Sequence, residues 1–473
     1  TLTEVSWVVS GYAVASVITL PLSAWLGQRF GKKRYFVFSL IGFTLASVLC
    51  GLAHNFTMLV VARVLQGLAG GGLLAKSQAI LFETFPREEQ AMAQAFFGVI
   101  VIAGPALGPT LGGYLVTNVD WRCIFFINIP VGICAVLMCL AALPEDPPPS
   151  VRGAVDWFSI ALLAIGLGSA QTLLEEGNSE DWFDSAFIWR LAIAAGVSLV
   201  WFVKRQLEAS VPVVDLRVLR YRSLWAGSLL SIVTGMVLYG ALFAVPLFVQ
   251  SILHYTSQET GLLLLPGALV SAVAMPLAGR IVGKIDPRVA LAFGCSVLTI
   301  ALFQLSELSP QTSIDDLQIP LMIRGFGVVF MFLPLNMATL GPIPKQDVAA
   351  ATGFFSLTRQ LGGSVGVALL SALLGVRIAF HRAVLLEKIV PSNPLLVDRL
   401  SALTAMFASK GASFEDARHR AWMMVDAAVN QQAAVLSFAD TFWATVALVA
   451  FSIPLIFLLG RPAANAKLVA ADH

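Results

Sequence analysis

Charged residues are scarce in this sequence. Asp, Glu, Lys and Arg make up 12% of the 473 residues, whereas 58% are hydrophobic, and the formal net charge is only +2. Soluble domains carry about 25% charged residues. The composition therefore excludes a disordered chain, a secreted disulfide scaffold and a nucleic-acid-binding protein. It predicts a chain that lies in a lipid bilayer.

Sequence motifs for metal, redox or nucleotide chemistry are also missing. The five cysteines show no C-x-x-C spacing and lie mostly within apolar runs, where cysteine acts as a small packing residue. No G-x-x-x-x-G-K-[ST] segment occurs, so ATP-driven transport by this chain is not supported. Paired carboxylates and histidine clusters of the kind that an enzyme needs are not found either. We therefore expect neither a metal nor a cofactor.

Long apolar runs dominate the chain. About 20 mostly apolar residues are needed to span a bilayer as a helix. Thirteen such runs are predicted, at 6–26, 35–53, 58–82, 91–115, 124–143, 155–174, 186–203, 223–251, 260–282, 289–307, 317–340, 349–377 and 437–460. The predicted fold class is an all-α polytopic membrane protein.

Charges in the connecting loops predict the orientation, because basic residues stay on the cytoplasmic side. One set of loops is rich in Lys and Arg, including Lys32, Lys284 and Lys345. The opposite set holds the acidic run Glu175, Glu176, Glu180, Asp181 and Asp184. The basic loops and the C-terminus are therefore predicted to be cytoplasmic, and Thr1 to lie outside. Since the chain starts without Met and has no cleavable signal peptide, we expect a further spanning helix upstream.

Internal repetition predicts two homologous halves. The segment Gly27–Lys32 recurs as Gly279–Lys284, each reading G-x-x-x-G-K at the basic end of a helix. Arg63 is echoed by Arg324, and Gly104 by Gly362, at similar offsets. Two repeated helix bundles around a central site are a known transporter architecture.

The predicted division of the chain follows from this repeat. Residues 1–143 form an N-terminal bundle that lacks its first helix, and residues 144–204 hold two inserted membrane helices. Residues 205–377 and 437–460 form the C-terminal bundle. The polar segment 378–436 is predicted to lie outside the membrane as a small amphipathic helical cap, with a flexible insertion as the alternative.

Several polar residues are candidates for coupling and gating. A cation within lipid is costly and normally faces a cavity or a partner, which singles out Arg63 and, beside it, Gln66. A purely structural salt bridge is the alternative role of Arg63. The loop that carries Arg29 and Lys32 either meets helix ends and acidic groups across the inner face or only anchors the topology.

A string of glycines and prolines marks the fourth run. Gly104, Gly108 and Gly112 are spaced four residues apart and would give one smooth helix face, while Pro105 would kink the helix. This pattern predicts a tight helix contact or a hinge. A packing helix without a role in gating is the alternative.

These segments resemble a known family. Residues 24–34, 59–71 and 98–115 are similar to the loop signature, the fourth-helix arginine motif and the antiporter signature of the major facilitator superfamily. Residues 175–185, 213–216 and 359–363 resemble the fourteen-span drug:proton antiporters of the EmrB/QacA type. Gln28 and Ala24 depart from the loop signature, which usually has Asp and Gly there, so the charge network at the inner gate is expected to be altered.

The resemblance implies a fold, an activity and partners. It implies two six-helix bundles plus two inserted helices, and proton-coupled efflux of drugs across a bacterial inner membrane by alternating access. It adds Arg359 to the coupling and gating candidates. It also implies an acidic coupling residue in the upstream helix, with a Glu83 that lies deeper in the membrane as the alternative. It further implies a periplasmic adaptor protein and an outer-membrane channel, for which we expect contact at 378–436.

The substrate cavity is predicted from side chains on the second half. Its candidate residues are Tyr239, Phe243, Phe248, Phe330, Asn336 and Phe355. Aromatic residues on spanning helices also serve as packing or lipid-facing groups. No Asp or Glu is predicted in the middle third of any span, whereas Arg63 and Arg359 lie at depth, which favours lipophilic anions or neutral amphiphiles as substrates.

Three other functions remain open at this point. The chain could export one narrow physiological metabolite, take up its substrate instead of exporting it, or be a polytopic membrane enzyme or sensor. The resemblance of 98–115 to the antiporter signature favours export.

Overall fold

The computed structural model describes residues 2–146, 155–390 and 392–460. The side chains at 2–6, 103, 105, 106 and 241 are outside this description. The predicted cytoplasmic C-terminus lies outside the described residues as well.

Helices make up nearly all of the described chain. They are α1 (Leu2–Phe30), α2 (Lys32–Gly51), α3 (Phe56–Gly70), α4 (Leu73–Thr84), α5 (Arg87–Asn118), α6 (Cys123–Phe126), α7 (Asn128–Ala142), α8 (Trp157–Glu176), α9 (Ala186–Glu208), α10 (Arg222–Ser251), α11 (Ser257–Val282), α12 (Pro287–Ser306), α13 (Ile314–Leu340), α14 (Val348–Leu386), α15 (Pro394–Ser409) and α16 (Phe414–Leu455). Short 3-10 turns occupy Trp182–Asp184, Leu216–Arg220 and Ile456–Leu458.

In the described part of the chain, thirteen helical stretches are long and apolar enough to cross a membrane. The pairs α3/α4 and α6/α7 each form one crossing, and α15 forms none. This confirms the all-helical class and the number of predicted spans. A bilayer leaves backbone polar groups no water to bind, so helices that satisfy these groups internally are the expected solution.

Polar residues fix where several helices begin. The Asn55 side chain accepts a hydrogen bond from the Met58 amide at 2.8 Å, which satisfies a free donor in the first turn of α3. Thr256 and Glu259 form a reciprocal capping box at the start of α11. These caps lie between apolar runs, so the polar breaks in the sequence mark real helix boundaries.

Helix packing joins the two halves of the bundle. Within the second half, α10 packs along α14 and α12 along α13. Between the halves, α5 packs along α11, and α14 contacts α1 and α4. The inserted helices α8 and α9 pack on each other, and α8 also contacts α1 and α14. The inserted pair therefore lies against the junction of the two halves.

The segment 378–436 is built largely from extensions of the spanning helices. α14 continues to Leu386 and α16 already begins at Phe414, so the spans predicted at 349–377 and 437–460 are longer than the sequence indicated. Between them, α15 packs on α16 and buries Leu396 and Leu403. The division of the chain into domains stays a prediction.

Candidate functional site: a central cavity and its polar surroundings

A central cavity lies between the two halves. The first half contributes apolar side chains such as Leu74 and Ile102 from α4 and α5. The second half contributes Tyr239, Ser271 and Phe332 from α10, α11 and α13. The walls are thus mostly apolar with a few polar groups, as expected for a site that binds small molecules.

Arg359 brings a buried cation to this cavity. It lies on α14, is only 5% exposed, and its guanidinium carbon lies 5.0 Å from the ring centre of Phe332 and 5.5 Å from that of Phe355. Its Nη2 is buried without a hydrogen-bond partner, and no carboxylate lies within 4.0 Å of it among the described residues. The aromatic faces partly stabilise the charge of Arg359, and its guanidinium can still donate a hydrogen bond to an anion.

Arg324 of α13 lines the same cavity. The internal repeat had paired Arg324 with Arg63, but Arg324 was not among the residues predicted for coupling or for the cavity. Ser271 and Phe332, which also line the cavity, carried no distinctive signal.

Arg63 lies away from the central cavity. Its Nε donates to the carbonyl oxygen of Val8 at 2.9 Å, its Nη1 donates to Gln66 Oε1 at 2.7 Å, and its guanidinium lies 4.5 Å from the ring centre of Tyr12. Gln66 Nε2 donates onward to Ser47 Oγ at 2.9 Å. Arg63 and Gln66 therefore join α1, α2 and α3 within the first half.

The basic end of the bundle is the end that carries Lys32, Lys33 and Lys345. There Lys32 Nζ lies 2.6 Å from Glu83 Oε2, linking α2 to α4. Lys345 Nζ donates to the Glu83 carbonyl oxygen at 2.9 Å and so joins the second half to the first. The loop's Lys32 thus contacts an acidic group, whereas Arg29 lies with its guanidinium 5.5 Å from the ring centre of Trp25.

Tyr239 alone among the six predicted cavity residues lines the central cavity. Tyr239 and Phe243 together line a second opening, the lateral cleft, whose other walls include Ser10, Glu175, Glu176, Gln360 and Ser364. The lateral cleft lies where α8, α1, α10 and α14 meet.

The other four predicted cavity residues line neither the central cavity nor the lateral cleft. Phe248 packs edge-on against Phe438 with ring centres 5.3 Å apart, and Phe330 packs against Phe293 at 5.3 Å, so both belong to the apolar core. Asn336 accepts a hydrogen bond from Gln78 Nε2 at 2.9 Å and bridges the halves. Phe355 lies beneath Arg359. Which neighbouring helix each of these side chains faces is set by the packing of the helices and not by the local sequence.

The glycine face of α5 has no packing partner among the described residues. A Cβ added at Gly104, Gly108 or Gly112 would meet no atom within 4 Å. α5 instead contacts α11 through other residues, with Thr110 close to Gly261. The side chain of Pro105 lies outside the described part, so the predicted role of this string in gating stays a prediction.

Glu175 and Glu176 lie at the end of a helix in the structure, whereas the sequence predicted them in an outer loop. They were assigned to an outer acidic run, but the structure has them in the last turn of α8, with Glu176 only 5% exposed. The only sequence signal was their position directly after an apolar run.

Comparison with known proteins places this architecture in a family. Residues 1–367 match the family model described as Major Facilitator Superfamily. The chain belongs to the Major Facilitator Superfamily. This superfamily consists of transporters, so a transporter rather than an enzyme is indicated, with small molecules as substrates.

Bacterial relatives resemble this superfamily member over most of its length. The multidrug export protein EmrB of Haemophilus influenzae is 34% identical over 391 residues, covering 82% of this chain and 77% of the relative. EmrB of Escherichia coli is 30% identical over 98% of this chain and 89% of the relative. The fatty acid resistance protein FarB of Neisseria gonorrhoeae is 32% identical over 97% of this chain and 89% of the relative. Together with the spanning helices, these relatives point to a multi-pass protein of the inner membrane.

A solved structure shares the fold. The crystal structure of the human organic anion transporter MFSD10 (TETRAN) aligns with a TM-score of 0.59 at 13% identity, covering 94% of this chain and 83% of that one. At this identity, the likeness concerns the fold alone.

Proposed function

We propose that this protein exports lipophilic compounds, neutral or weakly acidic, across the bacterial inner membrane in exchange for protons. The observation that carries the proposal is the buried Arg359 guanidinium in an apolar cavity between the two halves. Relatives named as multidrug export and fatty acid resistance proteins support export as the direction.

The chemistry of the cavity favours anions over cations. Apolar walls attract a lipophilic body, while Arg359 and Arg324 supply positive charge near Tyr239 and Ser271. A charge-assisted hydrogen bond from Arg359 to a carboxylate would satisfy its unpartnered Nη2. A lipophilic cation would instead be repelled by two guanidinium groups in a poorly solvated space.

Alternating access would open this cavity to one side of the membrane at a time. In the proposed orientation, the basic end and the C-terminus face the cytoplasm, because basic loops are retained there. The proton gradient supplies the driving force, without a bound cofactor. Rocking of the two halves around a central site is the mechanism that this architecture supports.

Transport into everted membrane vesicles tests the proposal. Labelled decanoate, a lipophilic carboxylate, should accumulate in vesicles carrying the full-length protein and should cease to do so when the pH gradient is collapsed. Arg359→Gln should reduce this accumulation by about tenfold or more, because the carboxylate loses its charge-assisted partner.

Arg34→Gln is the matched control, because Arg34 is an exposed cation at the basic end. It should leave decanoate accumulation unchanged. Failure of the unmodified protein to accumulate decanoate or any of a broad set of lipophilic compounds would contradict multidrug export and favour one narrow metabolite as substrate.

We further propose that the segment 378–436 contacts a periplasmic adaptor protein, which leads to an outer-membrane channel. This segment lies at the end of the bundle opposite Lys345, and it exposes large apolar side chains, including Leu395 at 78%, Phe414 at 67% and Met423 at 59%. Apolar surface exposed outside a membrane is typical of protein contacts.

Removal of α15 tests this contact. A short Gly/Ser linker in place of residues 390–412 should abolish drug resistance of whole cells, while decanoate accumulation in everted vesicles persists. Unchanged resistance of whole cells would contradict a role of this segment in assembly.

A further inference from the structure

The lateral cleft contains a carboxylate at the junction of the inserted helices and both halves. Glu175 and Glu176 end α8, and they face a space that also holds Tyr239 and Phe243 of α10. α1 contributes Ser10, and α14 contributes Gln360 and Ser364. An acidic side chain that faces a cleft between the helices of a membrane bundle is a candidate for an ion or proton pathway.

Gln171 connects this carboxylate to the second half. It is fully buried on α8, and its Nε2 donates to Glu175 Oε1 at 2.6 Å and to Ser364 Oγ at 2.7 Å. One turn further along, Ser10 Oγ donates to Glu176 Oε1 at 3.2 Å, which ties α8 to α1. Glu175 is therefore linked to the contact between α8 and α14 through Gln171.

Two acceptor atoms in this cluster have no donor. Glu175 Oε2 and Gln171 Oε1 are both buried and lack a hydrogen-bond partner among the described residues. No Lys, Arg or His lies within 4.0 Å of the Glu175 carboxylate in this part of the chain. A buried carboxylate without a cation is costly, and a bound proton removes its charge and turns an acceptor into a donor.

We propose that Glu175 is a proton-binding residue that couples proton movement to the contact between the inserted helix α8 and α14. The inference rests on the proposed function and deepens it, since it names a residue of this chain that carries the exchanged proton. With the proton bound, the neutral carboxyl no longer needs solvation and α8 stays against α14. Without it, the charge favours water entry into the lateral cleft and a looser contact.

The groups that face Glu175 are compatible with this role. Glu176 is the neighbouring acid on α8, and Tyr239 is the titratable group that α10 contributes. Among the described polar lining residues, α1 and α14 contribute only the uncharged Ser10, Gln360, Ser364 and Ser371. α9 packs on α8 but contributes none of the described lining residues. Repulsion between the two adjacent carboxylates favours one bound proton over none.

Two transport modes in proteoliposomes separate a coupling role from a structural one. Counterflow exchanges labelled for unlabelled decanoate at equal pH and needs no net proton movement. Gradient-driven uptake moves decanoate uphill at the expense of a pH difference. Glu175→Gln should leave counterflow within about twofold of the unmodified protein and lower gradient-driven uptake by about tenfold or more.

Glu180→Gln is the matched control, since Glu180 lies in the same acidic run but is exposed and accepts a hydrogen bond from Ser185. It should leave both modes unchanged. Full gradient-driven uptake by Glu175→Gln would overturn the inference.

Loss of both modes in Glu175→Gln would call for Glu175→Asp, which keeps the titratable group. Recovery of both modes in that variant, with a monodisperse elution profile, would support the inference, and recovery of neither would overturn it. Absence of gradient-driven uptake by the unmodified protein would overturn the proposed function itself, and this inference with it.

Discussion

Two arginines within the helix bundle serve different purposes in this protein. Arg63 is hydrogen-bonded to Val8 and Gln66 within the first half. Arg359 contacts aromatic faces beside the central cavity, and its Nη2 has no hydrogen-bond partner in the described part of the chain. An arginine whose donors are hydrogen-bonded to neighbouring helices contributes to structure. An arginine with a donor still available can contribute to binding.

Stability should therefore respond differently to the loss of each arginine. Arg63→Ala removes two hydrogen bonds, to the Val8 carbonyl oxygen and to Gln66 Oε1, so the free energy of unfolding should fall by about 1–3 kcal/mol. Arg359→Ala should lower it less, because Nη2 has no partner to lose. Thermal unfolding in detergent, followed by tryptophan fluorescence, measures both. A larger drop in Tm for Arg359→Ala than for Arg63→Ala would contradict a structural role of Arg63 and a binding role of Arg359.

The ion pair between the inserted helices should make stability depend on pH. Asp156 Oδ2 lies 3.0 Å from Arg205 Nε, and this contact is the main cause that lowers the pKa of Asp156 to about 2, against the opposing effect of burial. A lowered pKa means that the stabilisation is complete above the unfolded pKa of about 4 and is lost as the pH falls through about 2.

Asp156→Asn should thus lower Tm at pH 6, and the difference from the unmodified protein should shrink as the pH falls from about 4 to about 2. Because the pair is partly exposed, the effect at pH 6 should be about 1 kcal/mol or less. Asp398→Asn, at an exposed site without an ion pair among the described residues, is the control and should show no such pH dependence. A difference in Tm that stays constant down to pH 2 would argue against the ion pair as its cause.

At the scale of the helices, close approach between α10 and α14 depends on glycine. A Cβ added at Gly235 would lie 2.2 Å from the carbonyl oxygen of Arg359, and one added at Gly362 would lie 2.3 Å from that of Ile232. Both obstacles are backbone atoms, which cannot rotate away. The position of Arg359 in the cavity is therefore set by this helix pair.

Gly235→Ala should separate the two helices and destabilise the protein by about 1–3 kcal/mol. Gly196→Ala is the matched control, because a Cβ there meets nothing within 4 Å and alanine favours a helix. Tm of the two purified variants gives the comparison. Equal Tm values would show that α10 and α14 do not approach each other as closely as described.

At the scale of the whole molecule, two polar contacts close the basic end. Gln78 binds Asn336, and Lys345 binds the Glu83 carbonyl, each joining one half to the other. Alternating access requires these contacts to break whenever the cavity opens toward that end.

A disulfide across this closure should arrest transport. Glu83→Cys combined with Lys345→Cys should lose decanoate accumulation on oxidation and regain it on reduction. Each single variant, treated with the same oxidant, controls for the five native cysteines. Continued transport by protein that is fully cross-linked would show that the two halves do not part at the basic end.

The sequence by itself determined the helical class and the thirteen spans, because apolar length and polar breaks are local properties that a bilayer selects directly. Its repeats and motifs also indicated the family. Which side chains meet was decided only by the tertiary structure. Phe248 and Tyr239 lie on the same helix, yet one is core and the other lines the cavity, because neighbouring helices determine what each face contacts. Likewise, Glu175 is joined to the second half only because α14 packs against α8 through Gln171 and Ser364, which are distant in sequence.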